Sequence, residues 1–550
     1  MRIRTSFVLL LALVASVLPF TTAVADPVPE DATWTQVYFA SEDGTMLHAD
    51  VFLPKDREEN ERHPVILSIG PYFGSGGSAP PTPTREGPVM RFQDLIDEGK
   101  IFKRGYAYIQ VDSRGYGGSD GCYDLGGAGE QMDAASAVEW AAEQAWSNGR
   151  VGMWGKSYDA WTQVMALAHK PKGLEAAIIQ SPLIEGYKGF FMNGVHYDAG
   201  WYATPGLYGD YDLTPPSAND SPPEEFIYPA KGTATNPDCY ANNGTQAAIG
   251  DHSTDYWMER DIREAAGAST VPVLWSHGFL DANTKPDNFM DVWTALQGPK
   301  RGWFGQYDHV RGNEDKLVGR DGFMNEAMAW LDHYLKGLPL KRFPATEIQD
   351  SNGEWRKEAA WPPRDAKLHR FRLKAGEYTD DPMNSADSPG DGIWSFTPRA
   401  PYDLHFAGLP ELSVDVTDQL AQANLVALVY DVDPKGDARL ITRGASLVGE
   451  DERLTFELYP EDWRLAKGHR FGVFISGSDS SWFTPTHTGA TVAISKGAIQ
   501  FPFLRFKRRS NLEGRPAQAM QNVPEPMIEK DVIKANTVKG KFPPRLKRRR

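Results

Sequence analysis

Short apolar runs closed by turn residues alternate with stretches of helical period through the first third of the chain. Gln36-Val37-Tyr38-Phe39-Ala40 and Leu47-His48-Ala49-Asp50-Val51-Phe52-Leu53 flank Asp43-Gly44, the alternation and turn chemistry of a β-hairpin. Val65-Ile66-Leu67-Ser68-Ile69 is an apolar run of buried-strand length. It closes on Gly70-Pro71-Tyr72-Phe73 and a Gly/Ser/Pro loop reaching to about Pro88. A helix over Met90 to Glu98 precedes a second buried strand, Gly105 to Asp112, which runs into Ser113-Arg114-Gly115-Tyr116-Gly117-Gly118-Ser119. Between Glu130 and Gln144, Met132, Ala135, Val138, Glu139 and Ala142 fall at helical spacing. An apolar approach from Val151 to Gly155 and a helical run with Trp161, Val164, Met165, Leu167 and Ala168 follow. Strands alternating with helices predict a parallel sheet covered on both faces.

The pattern breaks after Ile178-Ile179-Gln180-Ser181 and returns at Val271-Pro272-Val273-Leu274-Trp275. The Tyr-, Gly-, Pro- and Asn-rich residues between read as an insertion over the carboxyl edge of the sheet, a cap. Its aromatics Tyr187, Phe190, Phe191, Tyr197, Trp201 and Tyr202 either line an acyl pocket or form the cap's own core. From about Leu368 helical periods vanish. Leu412–Val416, Leu425–Tyr430, Arg453–Leu458 and Arg470–Ile475 read as strands separated by Asp/Gly/Pro turns, a jelly-roll-like β-sandwich. The expected organisation is a catalytic domain over 26–181 and 270–345, a cap over 182–269, a sandwich over 346–506 and a basic, disordered tail over 507–550.

Within this frame one turn stands out. Gly155-Lys156-Ser157-Tyr158 sits between a strand and a helix, with the serine at the apex. Such an elbow strains the serine backbone, lifts the hydroxyl above the sheet edge and aims the first helix amides at what the serine attacks. The usual Gly-x-Ser-x-Gly pattern is broken on one side, by Asp159. Two later strands run into His277-Gly278-Phe279-Leu280-Asp281 and into Asp308-His309-Val310. Ser157, Asp281 and His309 therefore each follow a predicted strand, in the chain order of an α/β-hydrolase. Such positions converge on one edge of the sheet. His277 is a rival for the base, and Asp287 or Asp308 for the acid. His309 is preferred because His277 precedes a glycine turn and would crowd Asp281.

Composition bounds the partners. Arg2 and Arg4, the apolar stretch Phe7 to Phe20 and Ala23-Val24-Ala25 have the form of a secretory leader over residues 1–25, with the mature chain starting at Asp26. The apolar stretch is short for a membrane span. Losing two arginines takes the formal charge of −15 to −17, so no general attraction to nucleic acid is expected. The chain has 2 cysteines, Cys122 and Cys239, which an oxidising compartment would allow to pair. No His/Cys cluster has zinc spacing, and neither metal nor organic cofactor is expected. No pattern in the sequence speaks to the oligomeric state.

Asp43-Gly44, Gly105-Tyr106-Ala107, Asp112-Ser113-Arg114-Gly115, Gly118-Ser119, Trp146-Ser147-Asn148-Gly149, Gly155-Lys156-Ser157-Tyr158, Trp330-Leu331-Asp332 and Tyr334-Leu335-Lys336-Gly337 resemble the cocaine-esterase/X-Pro dipeptidyl-peptidase family of serine hydrolases. The resemblance runs from about residue 34 to about 500. It implies an α/β-hydrolase domain with a helical cap and a C-terminal jelly roll. By position it implies Ser157 as nucleophile, Asp281 as orienting acid and His309 as base. Tyr72 matches the family's oxyanion tyrosine, beside the backbone N–H of Tyr158. The chain departs from the family at Ala160, where glycine is usual. It also has Asn283 and Thr284 where amino-ester hydrolases of the group carry carboxylates. The expectation is a secreted serine hydrolase acting on an X-Pro-type peptide or a small acyl ester. A reading of another class is a non-catalytic glycan- or peptide-binding protein on a degenerate hydrolase scaffold.

Overall fold

The computed structural model describes residues 27–73, 88, 90–197, 237–380, 383–416, 422–449 and 452–548, without the side chains of 237–241 and 288. The leader expected over 1–25, Trp201 and Tyr202 lie outside the described residues. A 10-stranded sheet organises the first part of the chain, in the order β1-β2-β4-β3-β5-β6-β9-β10-β11-β12. These strands are β1 (Ala32–Ala40), β2 (Met46–Pro54), β3 (His63–Gly70), β4 (Ala107–Asp112), β5 (Ser147–Lys156), β6 (Leu174–Gln180), β9 (Val273–Gly278), β10 (Lys300–Gly305), β11 (Thr346–Gln349) and β12 (Trp355–Glu358). The two missing numbers are the short cap strands β7 (Phe191–Met192) and β8 (Val195–His196). Strands β4 to β11 along this order run parallel, and β2 and β12 add antiparallel edges.

The continuous apolar runs of β3 and β4 have their cause here: every residue of both strands is buried. Alternate side chains go to opposite faces. Val65, Leu67 and Ile69 join Ala134, Val138, Trp161 and Val164 of helices α2 (Ala128–Glu143) and α3 (Tyr158–His169). Ile66 joins Tyr106, Tyr108, Leu331 and Leu335 in a separate core on the other face, where helix Phe323–Lys336 packs. One strand thus feeds two cores, which is why no hydrophobic/polar alternation is visible in it.

The cap aromatics resolve as core. Tyr187, Phe190 and Phe191 are buried around Trp257, with ring centroids 5.7, 5.5 and 6.1 Å from it. Tyr197 is buried against Phe483, 5.4 Å between centroids.

Residues beyond β12 form a 7-stranded and a 4-stranded antiparallel sheet closing on one core that includes Phe406, Val414, Val429, Phe471 and Phe501. The expected disorder of the basic tail does not hold for its described part. Helix Lys530–Ala535 leads into Asn536, whose carbonyl accepts the Phe396 N–H at 2.9 Å. Lys507 and Lys547 are joined by an N–H to carbonyl bond of 2.9 Å. The cause is pairing: Arg508 reaches Glu358 at 2.5 Å and also Asp365, so its charge is neutralised rather than solvated. Among the described residues no helix is long and apolar enough to cross a membrane.

Candidate active site

Strand β3 connects leftward to β4, whereas its neighbour β5 connects rightward to β6. The carboxyl ends of β3 and β5 therefore flank the point where the winding reverses, the place where open α/β sheets bind ligands. Tyr72 follows β3 and Ser157 follows β5. Ser157 is 6 % exposed and holds φ 69°, ψ −123°, a conformation that L-residues keep only under constraint. The constraint is visible. The Ser157 N–H donates to the Gln180 carbonyl at 3.0 Å, and its own carbonyl accepts the N–H groups of Ala160 and Trp161, both at 3.0 Å. Helix α3 starts at the next residue, so its positive end faces the serine.

Asp281 and His309 lie just past the ends of neighbouring parallel strands, β9 and β10. The His309 Nδ1–H donates to Asp281 Oδ2 at 2.9 Å. Asp281 is fully buried and receives three further bonds of 2.9 Å each, from the N–H groups of Asn283 and Thr284 and from Thr284 Oγ1. Burial alone would push its carboxyl up. The His309 ring and these donors outweigh that and hold it well below the usual carboxylate range. The pair thus keeps a charged acceptor on Nδ1 and leaves Nε2 as the ring's other nitrogen.

The rivals are placed elsewhere. His277 is fully buried, stacks on Phe289 at 4.6 Å and approaches Asp281 only to 3.7 Å. Burial lowers it to about 4. Asp308 spends its carboxylate on the N–H groups of Ala282 and His309, at 3.0 and 2.7 Å, and so ties the two loops. Desolvation pushes Asp287 up to about 6, the opposite of what a charged orienting group needs.

Sequence reasoning missed the piece that joins these loops, Gln180-Ser181 at the end of β6. The Gln180 carbonyl holds the Ser157 N–H, and Gln180 Oε1 accepts the Gly312 N–H at 2.9 Å. Ser181, at φ 42°, donates its hydroxyl to the Val310 carbonyl at 3.3 Å, and its own carbonyl accepts Thr284 Oγ1 at 3.2 Å. All three loops therefore hang from two residues. The only signal in the chain was two polar residues at the end of an apolar strand.

Tyr158 is buried, and its hydroxyl donates to Glu130 Oε2 at 2.5 Å. Tyr72 is 8 % exposed, with the Arg91 guanidinium 3.7 Å above its ring centroid. Cys122 is disulfide-bonded. The side chain of Cys239 is outside the described residues. Among the described residues, Glu185, His252 and Asp261 bring potential metal-ligand atoms within 4.8 Å of one another. Arg263 enters the same group, 3.3 Å from Glu185 and 2.7 Å from Asp261, and makes it an ion-pair cluster rather than a cation site.

Fold and strand-end residues together define an α/β-hydrolase. The X-Pro dipeptidyl-peptidase (S15 family) profile matches residues 43–311, and the X-Pro dipeptidyl-peptidase C-terminal non-catalytic domain matches 340–521. The chain belongs to this X-Pro dipeptidyl-peptidase family of serine hydrolases. A Streptomyces avermitilis relative, named "Putative Xaa-Pro dipeptidyl-peptidase", is 24% identical over 551 residues, covering 81% of this chain and 78% of its own. Among solved structures, a CocE/NonD family hydrolase from Staphylococcus aureus superposes with a TM-score of 0.67 at 16% identity, over 86% of this chain and 94% of its own. An α-amino acid ester hydrolase gives a TM-score of 0.65 at 18% identity, over 90% and 99%.

Proposed function

We propose that the protein is a secreted enzyme that cleaves acyl bonds through Ser157, His309 and Asp281, releasing X-Pro-type dipeptides from peptide substrates. The observation that carries the reading is the left-handed backbone of Ser157, at the winding reversal, on the same sheet edge as the bonded His309–Asp281 pair. In this reading Ser157 Oγ attacks the substrate carbonyl while His309 Nε2 takes its proton. Asp281 holds the ring tautomer and stabilises the imidazolium. The tetrahedral oxyanion is met by the Tyr158 N–H and the Tyr72 hydroxyl. Collapse expels the leaving amine with the proton from His309 and leaves an acyl-serine. Water, deprotonated by the same histidine, then releases the acid.

The family match supports the peptide substrate. A small acyl ester is the second reading, and one observation favours it: Thr284, where carboxylates of the amino-ester hydrolases stand, is committed to Asp281 and offers no charge to a substrate amine. A paired turnover assay with an X-Pro anilide and simple acyl esters separates the two. Turnover of the ester alone assigns the protein to the esterases. Failure of a fluorophosphonate to label Ser157 in folded protein overturns the enzyme mechanism. Secretion rests on the leader, and the N-terminus of the exported protein tests it: Asp26 is expected.

A further inference from the structure

Asp159 occupies the elbow position where close packing ordinarily calls for glycine, and the surrounding chain has been shaped to keep it. A Cβ added at Gly70 would lie 1.9 Å from Asp159 Oδ1, and one at Gly155 would lie 2.3 Å from the Asp159 backbone carbonyl oxygen. Gly70 thus clears room for this carboxylate, which is fully buried, and Gly155 for the helix backbone that carries it. Its partner is Arg91, whose Nε donates to Asp159 Oδ2. The same guanidinium donates from Nη2 to the Lys156 carbonyl at 3.2 Å. Arg91 is therefore anchored to the residue before the serine and to the residue two after it. Its Cζ lies 3.7 Å from the Tyr72 ring centroid, over the ring, a close cation–π contact.

We infer that Arg91, clamped by Asp159, is a positioning residue for Tyr72: it fixes the tyrosine ring relative to the nucleophile elbow and polarises its hydroxyl toward an oxyanion. Two physical effects run in the same direction. The anchored guanidinium removes freedom from the ring, so the donor waits in place. A cation over the ring face draws electron density from the phenol and strengthens its O–H as a donor. Asp159 serves by fixing Arg91, since a free arginine side chain would lose this geometry to rotamer entropy. The inference rests on the oxyanion reading of Tyr72.

The test is steady-state kinetics of Arg91→Met, Arg91→Lys, Tyr72→Phe and the Arg91→Met/Tyr72→Phe double variant, on whichever X-Pro anilide or ester the enzyme turns over. Arg91→Met should lower kcat about tenfold with KM little changed, a part of the roughly 10²–10³ expected for losing the donor itself. Arg91→Lys, which keeps the charge but not the planar fork, should recover part of the loss. In the Tyr72→Phe background Arg91→Met should change kcat by less than about twofold, because the group it acts through is gone. An equal loss in both backgrounds, or a loss confined to KM, overturns the inference. Tyr72→Phe with an unchanged kcat instead overturns the oxyanion reading, while fluorophosphonate labelling of Ser157 persists. Should Arg91→Met not fold, Arg91→Lys with and without Tyr72→Phe carries the same comparison.

Discussion

His309 Nδ1 lies 2.9 Å from Asp281 Oδ2, across the ends of two neighbouring parallel strands. The ring is thereby turned so that its second nitrogen is the one available to a serine. Replacing Asp281 by Asn removes the charge and invites the wrong tautomer. We expect kcat to fall by roughly 10⁴ at near-constant KM. Ser157→Ala and His309→Ala should each abolish turnover to a similar extent, and the double variant should be hardly slower than either, because the residues act as a unit. Additive losses would argue against a single proton-transfer chain.

Thr284 supports the same oxygen. Its hydroxyl, with one proton to share, lies 2.9 Å from Asp281 Oδ2 and 3.2 Å from the Ser181 carbonyl oxygen, so it joins the acid loop to the end of β6. Thr284→Val keeps the shape and the backbone N–H bond to Oδ1 while deleting the hydroxyl. A fall in kcat of about tenfold is expected, equivalent to ~1.4 kcal/mol. That is near the low end for a bond to a charged group, because the other donors remain. An unchanged kcat would show that the backbone donors alone orient Asp281.

The legible and illegible parts of this protein differ in kind. The strand ends that carry Ser157, Asp281 and His309 could be read because each has a local signal, a strand followed by a turn. The two cores of the sheet were legible from apolar run lengths. Gln180-Ser181 was not, because its work is done by backbone carbonyls, which no side-chain pattern marks. Asp159 read as a flaw in the elbow because Arg91, which explains it, lies 68 residues earlier. The tail read as disordered because Arg508 finds Glu358 across 150 residues. Charge density along a chain does not reveal whether the partners lie in solvent or in a distant strand.

His277 provides a control on the base. It stacks on Phe289, and burial lowers it to about 4, so it stays neutral through the neutral range. His277→Phe should cost stability through packing but leave kcat within about tenfold of the parent, far above His309→Ala. The opposite ranking in a side-by-side assay would reassign the base to His277.

The two structural halves are joined by a buried ion pair. Arg356 on β12 donates to Asp462 at 2.8 and 2.5 Å, and Asp462 also takes His405 at 2.6 Å. Burial pushes the Asp462 carboxyl up, but Arg356 and His405 outweigh it and hold the group well below the usual range. A depressed carboxyl stabilises the fold above its unfolded pKa, ~3.9, and that contribution is lost as pH falls below it. Arg356→Met leaves the carboxylate without its main partner and should destabilise by about 3–5 kcal/mol at neutral pH. The deficit should shrink as pH falls below ~3.9, because the parent's unfolded chain then takes up a proton that its native Asp462 still refuses. Urea midpoints at pH 7 and at about pH 2.5 check this, and an equal deficit at both would mean that lost packing, not charge, sets the cost.

Glu130 predicts a pH effect of opposite sign. It is 1 % exposed on α2 and accepts the Gly126 N–H at 2.7 Å and the Tyr158 hydroxyl at 2.5 Å. Burial, reinforced by the charge of Asp124, raises its carboxyl from 4.5 to about 7, although both donors pull the other way. A raised carboxyl means that the native state holds a proton the unfolded chain has already released. Stability contributed by the neutral acid is therefore full below about pH 4.5, declines between there and about 7, and is level above. The size is about 3 kcal/mol, from ~1.4 kcal/mol per pKa unit. Glu130→Gln keeps an acceptor for Tyr158 and Gly126 but cannot ionise. Its stability relative to the parent should rise by that amount between pH 4.5 and 8, measured by urea unfolding across the range. Parallel curves for the two proteins would show that Glu130 ionises as readily in the fold as in the unfolded chain, and that Tyr158 is held by a charged partner at every pH where the enzyme works.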